Sequence, residues 1–416
     1  MEKNRRIPWY YLALLILAGE AVFVLPFVLP RVFRPTVLDA FGLDNLELGI
    51  CFSIYGFVAM GSYLLGGPLA DRLDPRKLIA LALWLTALGG LVLATFPSYS
   101  LLKILYGYWG MTTIFLFWAP MIKATRIWGG SASQGKAFGF LDGGRGLVAA
   151  LFGSLGVFLL STFMETNAAT QGVQTAFRTV ILVSSGLVAV VGILVWWGLR
   201  HPQDTGEATQ MERMRLNHLR EVLRLRSVWL LMAIILCAYV GYKITDIFSL
   251  YAQEVMGYDP VGAARVGTFL LFLRPVVGVV IGVLADRTAT SKVLLAGFWL
   301  SVAGGLLFAS GLMQPSFTIL FFLSILVVAG GVYATRSLYF AVMNSGRIPL
   351  RYTGTAVGLV SLTGFTPDIF AGPVIGYLLE AHPGREGHQH VFWMLVGFSL
   401  LGAWAASAYL RRYGKS

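Results

Sequence analysis

Charged residues are scarce in this sequence: Asp, Glu, Lys and Arg make up only 12% of its 416 residues, whereas 57% are hydrophobic. A water-soluble protein of this length needs much more charged surface, so a soluble globular domain is excluded. Cysteine is also rare. The two that occur, Cys51 and Cys237, lie in apolar runs, which excludes a disulfide framework. We therefore expect an integral membrane protein that sits in the lipid bilayer.

Several sequence signals of other protein classes are missing. There is no Gly-x-x-x-x-Gly-Lys-Ser/Thr phosphate-binding loop, which disfavours ATP-driven pumping. No small-residue cleavage site follows the first apolar run, so we expect no removable signal peptide. The net charge of +12 is dispersed between apolar segments, and nucleic-acid binding is not predicted. His382, His388 and His390 lie near Glu380 and Glu386, a grouping that predicts at most adventitious metal binding; no metal site and no cofactor are expected.

Long apolar runs dominate what is present. A bilayer core of about 30 Å requires about 20 apolar residues per helix. By that criterion the sequence predicts twelve membrane-spanning helices, all-α, with short polar segments between most of them. The predicted spans are 12–40, 46–70, 78–97, 101–124, 136–162, 176–199, 228–256, 261–285, 293–313, 317–342, 354–380 and 391–410.

The distribution of lysine and arginine predicts the orientation. Most of the 32 basic residues fall in segments that share one side of the membrane if the N-terminus is cytoplasmic. The positive-inside rule then places both termini of a multi-pass protein in the cytoplasm, in the cell (inner) membrane. The longest polar stretch, 200–227, is a basic amphipathic segment, predicted to be a linker helix at the cytoplasmic surface, with a regulatory or partner-binding role as the alternative. The predicted domains are 1–199, this linker and 228–416.

The two halves of the chain repeat each other. The segment GPLADRLDPRK at 67–77 matches GVLADRTATSK at 282–292 with an offset of 215, and the same offset aligns 41–44 with 256–259. A second match, 134–139 with 353–358, has an offset of 219. Such an internal repeat predicts two six-helix bundles of like topology.

The repeated Gly-x-Leu-Ala-Asp-Arg-x-x-x-x-Lys motif resembles the signature of the major facilitator superfamily. The resemblance implies twelve helices in two pseudo-symmetric six-helix bundles and transport by alternating access, with helices 1, 4, 7 and 10 lining a central cavity. Arg31 and the glycine-rich fifth span with Arg145 further resemble the bacterial organophosphate/sugar-phosphate permeases and organic-anion transporters. The motif residues are predicted to form a cytoplasmic gate, the alternative being loop charges that only fix topology. They are Gly67, Asp71, Arg72, Lys77, Gly282, Asp286, Arg287 and Lys292.

Charged residues inside the predicted spans are the strongest functional signal. A charge at the bilayer centre costs about 2.5–3.5 kcal/mol, so each one calls for a partner or a function. Ten charged residues lie well away from the span ends, and six of these ten candidates are basic, which predicts a net positive cavity that attracts anions. They are Glu20, Arg31, Arg34, Asp142, Arg145, Lys243, Asp246, Arg274, Arg336 and Asp368.

These residues are assigned two roles. Substrate binding is predicted for Arg31, Arg145, Lys243, Arg274 and Arg336, with Tyr239 and Trp118 as aromatic contacts. Proton carriage or coupling is predicted for Glu20, Asp142, Asp246 and Asp368, because burial favours the neutral form of a carboxyl group.

Purely structural roles are the alternatives. Arg31 and Arg34 would snorkel to the membrane surface, Asp142 would pair with Arg145, and Asp368 would pair with Arg274 or Arg336. The aromatic side chains would only pack against neighbouring helices. Thr366-Pro367 predicts a break before Asp368, and Pro275 permits a bend.

The function that these patterns favour is secondary active transport of a small organic anion, namely a sugar phosphate, phosphate ester or carboxylate, by exchange or proton coupling. The alternative is proton-coupled export of lipophilic or cationic compounds, against which the six basic groups argue. A membrane-embedded enzyme is not predicted, and a transport-like sensor stays open. The expected partners are the anion, protons and lipid, for a monomeric protein.

Overall fold

The structure is a computed structural model that describes residues 8–129, 134–166, 172–199, 221–339, 341–342 and 353–413. Most of the predicted linker, residues 200–220, lies outside the described residues. Within them the chain is helical and contains no β-strand, which confirms the all-α fold class. The helices are α1 Trp9–Phe23, α2 Leu29–Val32, α3 Arg34–Phe41, α4 Asn45–Arg72, α5 Pro75–Leu93, α6 Tyr99–Gly110, α7 Trp118–Gly129, α8 Gln134–Thr166, α9 Gly172–Gly198, α10 Arg226–Ile244, α11 Phe248–Glu254, α12 Pro260–Arg287, α13 Thr290–Ala309, α14 Thr318–Leu338, α15 Thr353–Gly364, α16 Pro367–Ala381 and α17 Arg385–Tyr413.

Eleven spans among the described residues are long and apolar enough to cross a membrane. The one predicted span that is missing from these eleven, 101–124, is not a continuous α-helix. Within it α6 passes into a π-helical segment, Met111–Phe115, and α7 starts only at Trp118. Proline explains the break, because Pro120 has no N–H to donate to the carbonyl of Leu116. Large apolar side chains, including Trp197, Ile319 and Trp404, are exposed on the protein surface, as expected for helices that face lipid.

The chain divides into two compact units. One comprises Met1–Pro202 with Tyr258–Pro275, and the other comprises Gln203–Gly257 with Val276–Ser416. The first part of α12 therefore belongs to the same unit as α1 to α9. The predicted division into 1–199, a linker and 228–416 stays a prediction.

Local capping starts the helices of the first unit. Asp44 and Glu47 form a capping box at the start of α4: the Glu47 amide donates to Asp44 Oδ1 (2.6 Å) and the Asp44 amide to Glu47 Oε2 (3.2 Å). Asp74 caps α5 by accepting from the Arg76 amide at 2.9 Å. Gly42, in the left-handed conformation (φ 61°), ends α3 immediately before α4. These caps set the positions at which the chain re-enters the helix bundle.

Small residues allow very close helix packing in the second unit, where α13 lies against α14 and α17. A Cβ atom at Gly331 of α14 would lie 2.5 Å from the backbone nitrogen of Ser301 and 2.7 Å from the carbonyl oxygen of Gly297, both in α13. Backbone atoms cannot move aside as a flexible side chain does. Glycine is therefore required at this crossing.

We expect Gly331→Ala to destabilise the protein by about 1–3 kcal/mol through overpacking, seen as a lower thermal-unfolding midpoint in detergent. Gly397→Ala is the matched control, because a Cβ at this helical glycine would meet nothing within 4 Å. Alanine also has the higher helix propensity, so the control variant should be as stable as the original or slightly more so. Equal stability of the two variants would contradict the tight crossing.

Candidate functional site

Interruptions in the membrane helices coincide with the predicted site residues. A π-helical segment, Val24–Val28, follows Glu20 and Phe23, because Pro26 cannot donate to the carbonyl of Val22. The second π segment and the turn after it lead directly to Trp118. Such segments are frequent at functional sites, since they free backbone groups and redirect side chains.

Two further interruptions lie in the second unit. A 3₁₀ segment, Thr245–Ile247, contains Asp246 and directly follows the last turn of α10, where Lys243 lies. The chain also breaks between Gly364 and Pro367, as the Thr366-Pro367 pair predicted, and Asp368 lies in the first turn of α16. In contrast, α12 continues as a helix through Pro275.

In the first unit four charged residues form a cluster that we call the Glu20 cluster: Glu20, Asp142, Arg145 and Arg274. Arg145 Nε donates to Glu20 Oε2 at 3.0 Å, and Arg274 Nη1 lies 3.8 Å from Glu20 Oε1. Arg274 Nη2 donates to Asp142 Oδ1 at 3.0 Å. Glu20 is 4% exposed, whereas the Asp142 side chain is 51% exposed. The alternative prediction paired Asp142 with Arg145; the ion pairs found here instead join Arg145 to Glu20 and Asp142 to Arg274.

Aromatic rings flank the Arg145 guanidinium. Its Cζ lies 5.3 Å from the centroid of the Phe23 ring and 5.7 Å from that of Trp118. Both distances allow cation–π attraction. Gly19 lets the arginine approach α1, because a Cβ there would lie 3.2 Å from Arg145 Cδ. The structure thus brings Trp118 and Arg145 together, as their shared assignment to the substrate site requires.

Arg31 and Arg34 are buried within the protein, at 6% and 3% exposure, so neither extends to the surface as the snorkelling alternative predicted. Arg34 Nε donates to Asn45 Oδ1 at 3.0 Å. Asn45 was not anticipated as a partner, although it lies at the first position of α4, a place that the capping motif marks in the sequence.

In the second unit four residues form a cluster that we call the Lys243 cluster: Tyr239, Lys243, Asp246 and Asp368. Lys243 Nζ lies 3.2 Å from Asp368 Oδ1 and 3.8 Å from Asp246 Oδ2. The Tyr239 hydroxyl lies 3.1 Å from each carboxylate oxygen of Asp368 and donates to it. Asp368 was predicted to pair with Arg274 or Arg336 if its role were structural; the ion pair found here is with Lys243.

Arg336 lies beside this cluster, over an aromatic ring. Its Cζ is 3.6 Å from the centroid of the Tyr242 ring, and that ring lies 5.8 Å from the Tyr239 ring. The Tyr242 and Tyr239 rings thus connect a second cation, Arg336, to the carboxylate of Asp368, to which Tyr239 donates. Arg336 was predicted as a substrate ligand on its own, and the stacking on Tyr242 was not foreseen.

The repeated motif runs from the end of α4 into α5 and, in its second copy, from the end of α12 into α13. Four basic residues of the motif are exposed, namely Arg72, Lys77, Arg287 and Lys292, and Gly282 is partly buried. The burial of Gly67, Asp71 and Asp286 lies outside what the structure describes. One contact was missed by sequence reasoning: Lys123 Nζ of α7 donates to the carbonyl oxygen of Ala70, inside the motif, at 2.7 Å. A cation at a helix C-terminus is favourable, so Lys123 stabilises the end of α4.

Two of the three histidines contact different carboxylates, and the His390 ring lies 4.4 Å from the His382 ring, centroid to centroid. His388 is fully buried, and its Nε2 lies 2.9 Å from Glu254 Oε2, whereas His382 Nδ1 lies 3.6 Å from Glu386 Oε1. Across the described ranges, no group of three or more His, Cys, Asp or Glu side chains is arranged to hold a metal ion.

Comparison with known proteins identifies relatives along nearly the whole chain. The inner membrane protein YqcE of Escherichia coli K12 is 28% identical over 408 residues, covering 97% of this chain and 94% of YqcE. A protein of Cupriavidus necator named "Probable sulfoacetate transporter SauU" is 26% identical over 412 residues, covering 91% of this chain and 87% of that protein.

A solved structure has the same fold. It is the crystal structure of a bacterial homolog to the human lysosomal transporter Spinster, with a TM-score of 0.77, 16% identity, and coverage of 100% of this chain and 99% of that chain. Residues 10–366 also match the family described as Major Facilitator Superfamily. With eleven apolar spans, an internal repeat and this match, the chain is a multi-pass membrane transporter rather than an enzyme, and it belongs to the major facilitator superfamily.

Proposed function

We propose that this protein is a secondary active transporter that moves a small organic anion (a sugar phosphate, phosphate ester or carboxylate) across the inner membrane by alternating access. The observation that carries the proposal is Arg145, a largely buried guanidinium (11% exposed) held by Glu20 and flanked by Phe23 and Trp118. A planar guanidinium binds carboxylate or phosphate through two parallel hydrogen bonds. Aromatic faces beside it suit the carbon skeleton of an organic acid or a sugar ring.

The balance of charges supports an anion. The six basic candidates predicted deep within the spans all lie in described helices, as do three of the four acidic candidates, and Asp246 lies in the 3₁₀ segment. The Glu20 cluster and the Lys243 cluster with Arg336 each contain two cations and two carboxylates. Arg31 and Arg34 are two further cations, so the ten residues together carry an excess of positive charge. A positive, water-poor environment concentrates anions. The name of the relative SauU, which refers to sulfoacetate, is compatible with this substrate class.

The proposal extends to the rest of the molecule. The motif residues at the ends of α4 and α12 form a cytoplasmic gate, with Lys123 holding the α4 end in place. Both termini lie in the cytoplasm, and the transporter acts as a monomer. Arg31, Arg145, Arg274 and the Lys243 cluster supply the groups that bind or couple.

Uptake into proteoliposomes tests the substrate class. We expect at least one of four radiolabelled anions (sulfoacetate, succinate, glycerol 3-phosphate and glucose 6-phosphate) to enter faster than into protein-free vesicles. Tetraphenylphosphonium, a hydrophobic cation that crosses lipid bilayers unaided, should enter no faster than into protein-free vesicles. Transport of the cation with no transport or binding of any of the four anions would overturn the proposal in favour of a proton-coupled exporter, whose site would use Glu20 and Asp368.

A further inference from the structure

The ammonium group of Lys243 is already occupied by carboxylates of the protein itself. It is 4% exposed and lies 3.2 Å from Asp368 Oδ1 and 3.8 Å from Asp246 Oδ2. Asp368 also accepts from Tyr239 through both of its oxygens. Asp368 thus makes the contacts with Lys243 that the carboxylate of a bound substrate would make.

The charges around Asp368 show what an incoming anion would meet. Lys243, Asp246 and Tyr239 face it from α10 and the 3₁₀ segment, and Arg336 of α14 stacks on Tyr242 next to Tyr239. Around Lys243 itself, two carboxylates outnumber one cation. A third anion at this position would meet net negative charge in a water-poor environment, where like charges repel strongly.

We propose that Asp368 is a proton-controlled competitor of the substrate for Lys243. A proton from solution binds to the Asp368 carboxylate and forms an O–H bond, and the ion pair with Lys243 breaks. The substrate anion then pairs with Lys243 in place of Asp368. When the anion leaves, Asp368 loses its proton to solution and pairs with Lys243 again, so one proton travels with each anion.

The position of Asp368 suits this exchange of partners. It lies in the first turn of α16, directly after the break at residues 365–366. Its side chain is 15% exposed, whereas that of Lys243 is 4% exposed, so Asp368 is the more accessible partner of the pair. The inference rests on the proposed anion transport and decides between its two modes, because it makes the transporter a proton–anion symporter rather than an exchanger alone.

Anion affinity as a function of pH provides the first test. Binding that takes up one proton strengthens as pH falls, by about tenfold per pH unit wherever free Asp368 is ionised. We expect this slope for the full-length protein in detergent, titrated calorimetrically with each of the four panel anions that binds. In Asp368→Asn the part of this pH dependence of anion affinity that comes from Asp368 should disappear. The protonation of the anion itself contributes equally to the pH dependence of both proteins, so it cancels when they are compared with the same anion.

The matched control is Asp39→Asn, since Asp39 is an exposed carboxylate at the end of α3 that belongs to neither cluster. It should retain the slope of the unmodified protein. In proteoliposomes, Asp368→Asn should still exchange internal for external anion but should no longer accumulate it when the pH gradient is the driving force. The same pH slope and the same accumulation in Asp368→Asn would overturn the inference.

A measurement on the unmodified protein keeps the test valid even if Asp368→Asn does not fold. In weakly buffered solution with a pH indicator, each anion bound should remove about one proton from solution. Anion binding without proton uptake would refute the symport mechanism and leave anion transport standing. If none of the four anions binds at any pH, the proposed function itself fails.

Discussion

Replacement of Arg145 by alanine is expected to reduce anion uptake about a hundredfold or more. The change removes the guanidinium that we assign to the substrate, and it leaves Glu20 buried without its partner at 3.0 Å. Loss of two charge-assisted hydrogen bonds to the substrate, worth about 3 kcal/mol, corresponds to about a hundredfold loss of affinity. Breaking the buried ion pair from one side separately costs about 3–5 kcal/mol of folding stability. Initial uptake rates in proteoliposomes measure the effect, together with thermal unfolding in detergent.

Two companion variants separate binding from stability. Glu20→Gln combined with Arg145→Gln replaces the ion pair with a neutral pair, so we expect stability to recover while uptake stays lost. Arg145→Lys keeps the charge without the planar guanidinium and should bind the anion only weakly. Recovery of uptake in the double variant would show that Arg145 only neutralises Glu20 and does not contact the substrate.

Replacement of Lys243 by methionine is expected to abolish both exchange and proton-driven uptake. Methionine preserves much of the length and volume of the side chain but removes the cation that Asp246 and Asp368 share. Two carboxylates then lie close together without that cation, and a destabilisation of about 3–5 kcal/mol should accompany the loss of transport. Counterflow of a labelled panel anion and the thermal midpoint are the measurements.

The control for Lys243→Met is the same change combined with Asp368→Asn. Removing one charge of each sign should restore most of the stability, but the anion still has no cation to bind, and transport should stay absent. Lys243→Arg should retain some transport because its charge remains. Normal counterflow in Lys243→Met would remove Lys243 from the substrate path and with it the competition that we infer for Asp368.

Most of the fold follows from the sequence because the bilayer imposes one length scale on every span. Apolar runs of about 20 residues and the 215-residue offset of the repeat leave little freedom in helix number or order. The interruptions of the helices are harder to predict from the sequence. Pro120 and Pro26 mark two of them, yet Pro275 lies within a continuous helix, so proline alone does not predict a break. The 3₁₀ segment Thr245–Ile247 contains no proline at all.

The partners in the two clusters could not be predicted from spacing. Glu20 and Arg145 are 125 residues apart and Tyr239 and Asp368 are 129 apart, so only the packing of their helices brings them together. Lys243 and Asp246 were predictable as neighbours, because they are three positions apart within one predicted span. The Lys123–Ala70 contact could not be predicted for another reason. Its acceptor is a backbone carbonyl, which every residue has, so the sequence does not mark it.

The two π-helical segments make the geometry around Arg145 depend on chain length as well as on side-chain identity. A π turn contains one residue more than an α turn, which rotates everything on one side of it by about 100° about the helix axis. Val24–Val28 sets in this way the angle between Glu20 and Arg31, and Met111–Phe115 sets the direction of Trp118. Loss of one residue from either segment would rotate Glu20 or Trp118 away from Arg145, although no residue of the site itself would have changed. Alignments that tolerate a gap in these turns would therefore group transporters with differently oriented sites.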